Sequence, residues 1–200
     1  QARAVPIGTI VASGWASGLN LYGTVLLLGL AGRLGWADVP PDLQHTWVLV
    51  AAAVLYVVEF VVDKVPWADS LWDSVHTVVR PVGGGLLGAM FAKEGGDPEV
   101  VAALLGGGFS LTAHGAKAST RAMVNASPEP ASNIALSFAE DGVVAGMVAL
   151  ALAFPVVAGI VATVFAITSV AVTWILFRFV RRVWRRIGAW RARRAGSTGP

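Results

Sequence analysis

Apolar residues in this chain fall in long blocks, not in stripes three or four positions apart. The blocks run over Ile7 to Leu34, His45 to Val62, Asp69 to Ala92, Glu99 to Asn125 and Ile134 to Phe179. A helix needs about 20 apolar residues to cross roughly 30 Å of hydrocarbon, so blocks of this length predict membrane-spanning helices. The last block is too long for one crossing, and Pro155 divides it into Ile134 to Phe154 and Val156 to Phe179. In the first block the run GWASGLNLYG, Gly14 to Gly23, predicts a broken or closely packed helix, since glycine at that density loosens a helix and lets another backbone approach. Pro40 and Pro41 stop any helix in the following loop, Gly35 to Gln44, Pro66 ends the second span, and KEGGDPE, Lys93 to Glu99, reads as a solvated turn. Pro81 and Gly83 to Gly85 predict a bend or interruption in the third span. The connection Asn125 to Asn133 is Pro-rich, with Ser132 or Asn133 suited to cap the next helix.

The pattern therefore predicts an all-α, polytopic helical membrane protein of about six transmembrane helices. Composition agrees: 56% of residues are hydrophobic and 14% are charged, where a soluble domain carries roughly a quarter charged. The first block is too long for a signal peptide. Without cysteine there are no disulfides, thiolate metal sites or thiol nucleophiles. Arginine in fourfold excess over lysine, with heavy Ala, Val and Gly usage, fits a GC-rich bacterial genome.

Orientation comes from the tail RFVRRVWRRIGAWRARRAG, whose eight arginines directly follow a span. Such a run can contact nucleic acid, but beside a span the positive-inside rule with a tryptophan anchor explains it better, so no nucleic-acid partner is expected. Residues 1–182 then form one transmembrane domain and 183–200 a basic cytoplasmic tail. Six crossings place both termini in the cytoplasm of a bacterial inner membrane, with the acidic loops around Asp38 and Glu94 outside. GWASGLN, Gly14 to Asn20, is echoed by GFSLTAH, Gly108 to His114, which admits a 3+3 inverted repeat of the transporter kind.

Charge inside these blocks changes the picture most. Asp69, Asp73, His76 and Arg80 are spaced by four, three and four, so they stack along one helix face. That face is either a site within a span or the polar side of an interfacial helix lying on lipid. Glu59 and Asp63 form an i,i+4 pair of like charges, which persists where a cation, a proton or a basic partner sits between them. His114, Lys117 and Arg121 repeat the spacing with basic groups, as substrate contacts or as counter-charges. Glu140 and Asp141 lie two turns inside the fifth span, and Asn20 lies in the loosened first one. Acids, Glu129 among them, outnumber fixed cations, which favours a bound cation or proton. Paired histidines with a nearby acid and a phosphate-cradling glycine loop are both missing, so the chain calls for no cofactor and its metal chemistry stays open.

The runs GWASGLNLYGTVLLLGLAGRLGW, VEFVVDKVPWADSLWDSVHTVVRPVGG and HGAKASTRAMVNASPEPASN, in that order, resemble the bacterial membrane family catalogued as domain of unknown function 4126. The resemblance covers Ser13 to about Arg182. It implies a helical membrane fold and no particular chemistry.

Three functions are compatible with these residues. The first is a transporter or channel for a small ion or solute, in which Glu59, Asp63, Asp73 and Glu140 or Asp141 hold a cation or proton, His76 responds to pH, and Arg80, Lys117 and Arg121 set the field or hold an anionic co-substrate. The second is an enzyme or flippase for a phospholipid or polyprenyl-phosphate head group, with the basic residues clamping phosphate and His76 or His114 as acid or base. The third is a structural subunit, as a homo-oligomer or within a larger complex, whose glycines at 83–88 and 106–108 serve helix contacts in the bilayer.

Overall fold

One residue inside the first apolar block leaves the helix. Asn20 is extended, with φ −147° and ψ 101°, between α1 (Ile7–Leu19) and α2 (Leu21–Arg33). Its side-chain oxygen accepts the Gly23 amide at 2.7 Å, and its carbonyl accepts Thr24 N–H at 3.1 Å. Asparagine caps helices well because its short side chain reaches an amide that the first turn leaves unpaired. The expected break is therefore present, and Asn20 makes it.

The computed structural model describes residues 6–125 and 130–196, and these are helical almost throughout, with no strand. After α2 a short 3-10 turn (Pro41–Gln44) leads to α3 (Thr46–Val62), α4 (Pro66–Gly95), α5 (Glu99–Val124), α6 (Pro130–Ala153) and α7 (Pro155–Gly196). Pro155 does split the last block, at Phe154. Within the Asn125 to Asn133 connection, 126–129, including Glu129, lie outside the described residues. Asn133 sits inside α6, not at its cap, and donates from Nδ2 to Asn125 Oδ1 at 2.8 Å.

Close contacts give the helix directions. A Cβ built on Gly14 would stand 2.7 Å from the Gly106 Cα, and one on Gly18 would stand 2.7 Å from the Ala113 Cβ, so α1 runs parallel to α5 toward its Arg121 end. In contrast, α2 runs antiparallel to α3. Gly23 faces Tyr56, and Arg33 Nη1 donates to Thr46 Oγ1 at 2.8 Å. Gly32, Trp36, Phe91 and Glu94 line one cavity, so α2 finishes at the Phe91 end of α4, where α1 began with Ile10 beside Gly88. The first block is therefore a hairpin that turns back at Asn20, not a rod running end to end. Meanwhile α7 starts with Gly159 beside Gly8 and passes Gly115 at Thr173, running toward the Arg121 end. The two ends of the described chain thus lie at opposite ends of the helix bundle, whereas six crossings would put them together.

Three further sequence features take these forms. α4 is continuous through Pro81 and the three glycines, although proline removes a helix hydrogen bond. Its Gly84–Gly88 face is pressed backbone to backbone on α5, and packing overrides propensity there. α5 is unbroken across Gly108 to His114, so the echo of the first block lacks the break that would make it a structural repeat. The basic tail continues α7 without interruption past residue 182.

The core is a seam of small residues and carbonyls at the Phe91 end, filled by Leu28, Leu87, Phe91 and Ala92. The outside is apolar: Val54, Val57, Val61, Val78, Leu86, Leu104, Ile160 and Ile167 are all exposed. By length and composition two helices could cross a membrane, at Ala131–Ala153 and Pro155–Arg186. The helices over Ile7–Leu19, Leu21–Arg33 and Thr46–Val62 are apolar but shorter.

Candidate functional site

Charge lies in the half of the bundle toward Arg121. Arg80, fully buried, comes off the middle of α4. Its Nη2 donates to Glu59 Oε1 at 2.7 Å, and Nη1 reaches Asp73 Oδ1 at 3.1 Å. Nη1 also faces the Gly18 carbonyl at 3.4 Å, one of those left open where α1 stops. One turn along α5, Lys117 donates to Glu59 Oε1 at 3.2 Å, Asp63 Oδ2 at 3.0 Å and the Leu19 carbonyl at 3.1 Å. The like-charged pair Glu59 and Asp63 thus holds a basic partner between its members, one of the three arrangements its spacing allows. Arg121 completes the row, with Nη2 at 2.6 Å from Glu140 Oε2 and Nη1 at 2.8 Å from the Asp63 carbonyl. Glu140 also meets Lys117 at 3.4 Å.

The cations make a ladder three rungs long, from the broken tip of α1 to the end of the bundle. Burial alone would raise the Asp63 carboxyl, but Lys117 and Arg121 beside it outweigh that and hold it below the usual carboxylate range.

Two carboxylates in this half are held by dipoles. Asp141 accepts from Asn20 Nδ2 at 3.1 Å and from the Tyr56 hydroxyl at 3.2 Å. Asp69, at the outer edge, accepts from Asn125 Nδ2 at 2.7 Å. Six carboxylates therefore face three buried cations. Lys64 stands aside at the rim, 3.0 Å over the Phe60 ring and donating to the Phe60 carbonyl. Glu59 Oε2, Asp63 Oδ1 and Asp69 Oδ1 are buried oxygens without a hydrogen-bond partner among the described residues.

Hydrogen-bond logic fixes both histidines. His76 Nδ1 lies 2.8 Å from the Trp72 carbonyl, which can only accept, so Nδ1 carries the proton. Nε2 then accepts from the Tyr22 hydroxyl at 2.9 Å, and the ring stacks on Trp72 with centroids 4.4 Å apart. His114 has the opposite tautomer. Its Nδ1 faces the Arg80 guanidinium at 2.8 Å, a group that only donates, so Nδ1 is bare and Nε2–H donates to Thr77 at 3.1 Å. A proton arriving at Nδ1 would meet the guanidinium N–H, which suits His114 to holding Arg80 and not to acid–base work.

The twelve residues singled out by the sequence converge on this half, with His76 at its flank beside α2. Asp69, Asp73, His76 and Arg80 are all buried while Leu71, Val75 and Val78 on the same helix are exposed, so the polar face points into the bundle. Sequence reasoning missed Tyr22, Tyr56, Asn125 and the Gly18 and Leu19 carbonyls. Tyr22 sits two residues from Asn20, but nothing in a linear pattern shows that α2 folds back to bring it to His76. No three His, Asp or Glu residues among those described come together to hold a metal ion. Between α4 and α5 a cavity of about 260 Å³, lined by Ser70, Asp73, Ser74, Thr77 and Arg121, opens onto the ladder.

An all-helical bundle, apolar outside and charged within one half, is the class this chain defines. Over residues 7–175 it matches the family described as "Domain of unknown function (DUF4126)", and it belongs to that family. No curated protein and no solved structure matches it.

Proposed function

We propose that this chain is a small multi-pass membrane transporter in which the buried carboxylates carry a proton or cation. The observation that supports it is the inverted distribution of polarity. Valine, leucine and isoleucine cover the outside, while five carboxylates and three cations are buried in one half, with half-buried Asp141 beside them. Ionisable groups at membrane depth face a bundle interior or a wet path and mark ion and proton routes. The carboxylate excess is relieved by protons, and Asp69 and Asp141, each held only by neutral donors, are the residues to take them. The tip of α1 presents its terminal carbonyls at the same place, as broken helices do in transporters. Purified protein in vesicles should move protons or an alkali cation, read by a pH-sensitive or ion-sensitive dye, and Glu59→Gln with Asp63→Asn should cut the flux at least tenfold. Full flux in both variants would sink the assignment.

The membrane arrangement we infer has five crossings, α3 to α7, and a re-entrant α1–α2 hairpin. The arginines of α7 put the Arg121 end in the cytoplasm of a bacterial inner membrane. Pro6 then lies outside, together with the acidic loops at Asp38 and Asp97. The chain lacks cysteine, so single substitutions report cleanly. Pro6→Cys, Asp38→Cys and Asp97→Cys should react with an impermeant maleimide in intact cells, and Ser70→Cys should not. Protection of residue 6 alone would restore the six-crossing arrangement.

A second reading, head-group chemistry, is favoured by the Ser70–Arg121 cavity, whose hydroxyls and guanidinium suit a phosphate at the inner surface. Vesicle flux without lipid turnover decides against it.

A further inference from the structure

The α5–α7 face carries a groove that neither the charge ladder nor the Ser70–Arg121 cavity uses. It holds about 710 Å³ and is lined by Leu111, Gly115, Met123, Val170, Trp174 and Phe177. Its lining on α7 runs from Val170 to Val180. At 1.5 Å per residue that is about 15 Å, or one leaflet's share of a bilayer core roughly 30 Å thick.

The groove does not end in apolar surface. Trp174 and Phe177 also line an adjoining cavity of about 300 Å³, whose other walls are Arg178, Arg181, Arg182 and Arg185. Arg178 lies over the Trp174 ring, 4.4 Å from its centroid. No salt bridge or hydrogen bond to an acid is formed by these four arginines within the described residues, and Glu59, Asp63, Asp73 and Glu140 are paired with Arg80, Lys117 and Arg121 instead. An aliphatic slot one leaflet long, opening directly into four exposed guanidiniums, is complementary to a molecule with a hydrocarbon chain and an anionic head.

The geometry points to a binding site for an anionic phospholipid of the cytoplasmic leaflet, its chain along α5 and α7 and its phosphate among Arg178, Arg181, Arg182 and Arg185. Guanidinium pairs with phosphate oxygens through two parallel N–H donors, which gives the head-group preference. Basic pockets between helices at the cytoplasmic surface select such lipids in general. The inference rests on the membrane reading above but not on transport.

Full-length protein, purified in detergent, is mixed with equal amounts of phosphatidylglycerol and phosphatidylcholine bearing identical chains, and retained lipid is counted by native mass spectrometry. The wild-type chain should hold one phosphatidylglycerol with at least tenfold preference. Arg181→Gln with Arg185→Gln should abolish the preference, while Ser119→Phe, which fills the groove, should lower retention of both lipids. Arg33→Gln, at the opposite end, should change neither. Equal retention of the two lipids by wild type overturns the site, as does a preference that survives the arginine pair. Undiminished retention in Ser119→Phe overturns the seated chain. Each variant is first checked by size exclusion for a single folded species, and the single Arg181→Gln and Arg185→Gln chains replace the pair if it fails. Protein recovered in the aqueous fraction without detergent would instead remove the membrane reading itself.

Discussion

Arg80→Met should lower stability by about 3–5 kcal/mol, the cost of breaking a buried ion pair from one side. The guanidinium is fully buried and joins four partners from three other helices and its own: Glu59, Asp73, His114 and the Gly18 carbonyl. Methionine fills much of the volume but leaves the Asp73 carboxylate, a bare imidazole nitrogen and a helix-end carbonyl without this donor, and Glu59 with Lys117 alone. For a chain this size the midpoint of thermal unfolding in detergent should fall by about 10 °C. Adding Glu59→Gln should recover part of the loss, because an amide needs no counter-charge. A double-mutant cycle between the two positions reads that coupling. An unchanged midpoint in Arg80→Met would mean that the ladder contributes nothing to holding α1, α3, α4 and α5 together.

Gly106→Val should be as damaging for a different reason. A Cβ at Gly106 would run into the Gly84 carbonyl on α4 and lie 3.4 Å from the Gly88 Cα, and the Gly106 backbone also faces Gly14 of α1, whose own Cβ would stand 2.7 Å from the Gly106 Cα. These are backbone atoms, which cannot turn away as a side chain can. Overpacking of a dense core costs about 1–3 kcal/mol and more when the main chain must move, so loss of the folded species is expected on size exclusion. Gly108, two residues on in the same helix, has open space around its Cβ direction. Gly108→Ala should raise stability by about 0.5–1 kcal/mol through helix propensity alone, which makes the pair a test of position and not of glycine as such.

Much of the candidate site was legible because its signals are local. Periodicity of three and four placed Asp69, Asp73, His76 and Arg80 on one face, and the Glu59–Asp63 spacing left a cation, a proton or a basic partner open, of which the structure holds Lys117 between them. Glycine density marked the first block as irregular, and Asn20 proved to be where it breaks. What escaped is whatever depends on direction. A break and a reversal leave the same trace in an apolar run, so the sequence supported a crossing where the chain turns back. For the same reason the meeting of Tyr22 with His76, and of Asn20 with Asp141, could not be read from spacing. Pro81 and the glycines do not interrupt α4, whose close fit on α5 lies between residues far apart in sequence.

The hairpin at the start of the chain also sets an order of assembly. α1 is buried on nearly every side, yet the groups that bury it, Gly84, Gly88, Gly106, Ser110 and Gly159, are all synthesised later. Thirteen residues give a helix of about 20 Å, too short to cross a bilayer as a self-sufficient span. α1 therefore leaves the ribosome before the helices that enclose it, and such distant contacts slow folding. Until α4, α5 and α7 arrive, the nascent chain carries an apolar helix pair with nothing to enclose it. A fragment ending at Val62 should accordingly be degraded or held by a chaperone during synthesis, whereas the completed chain locks α1 in place at both its ends.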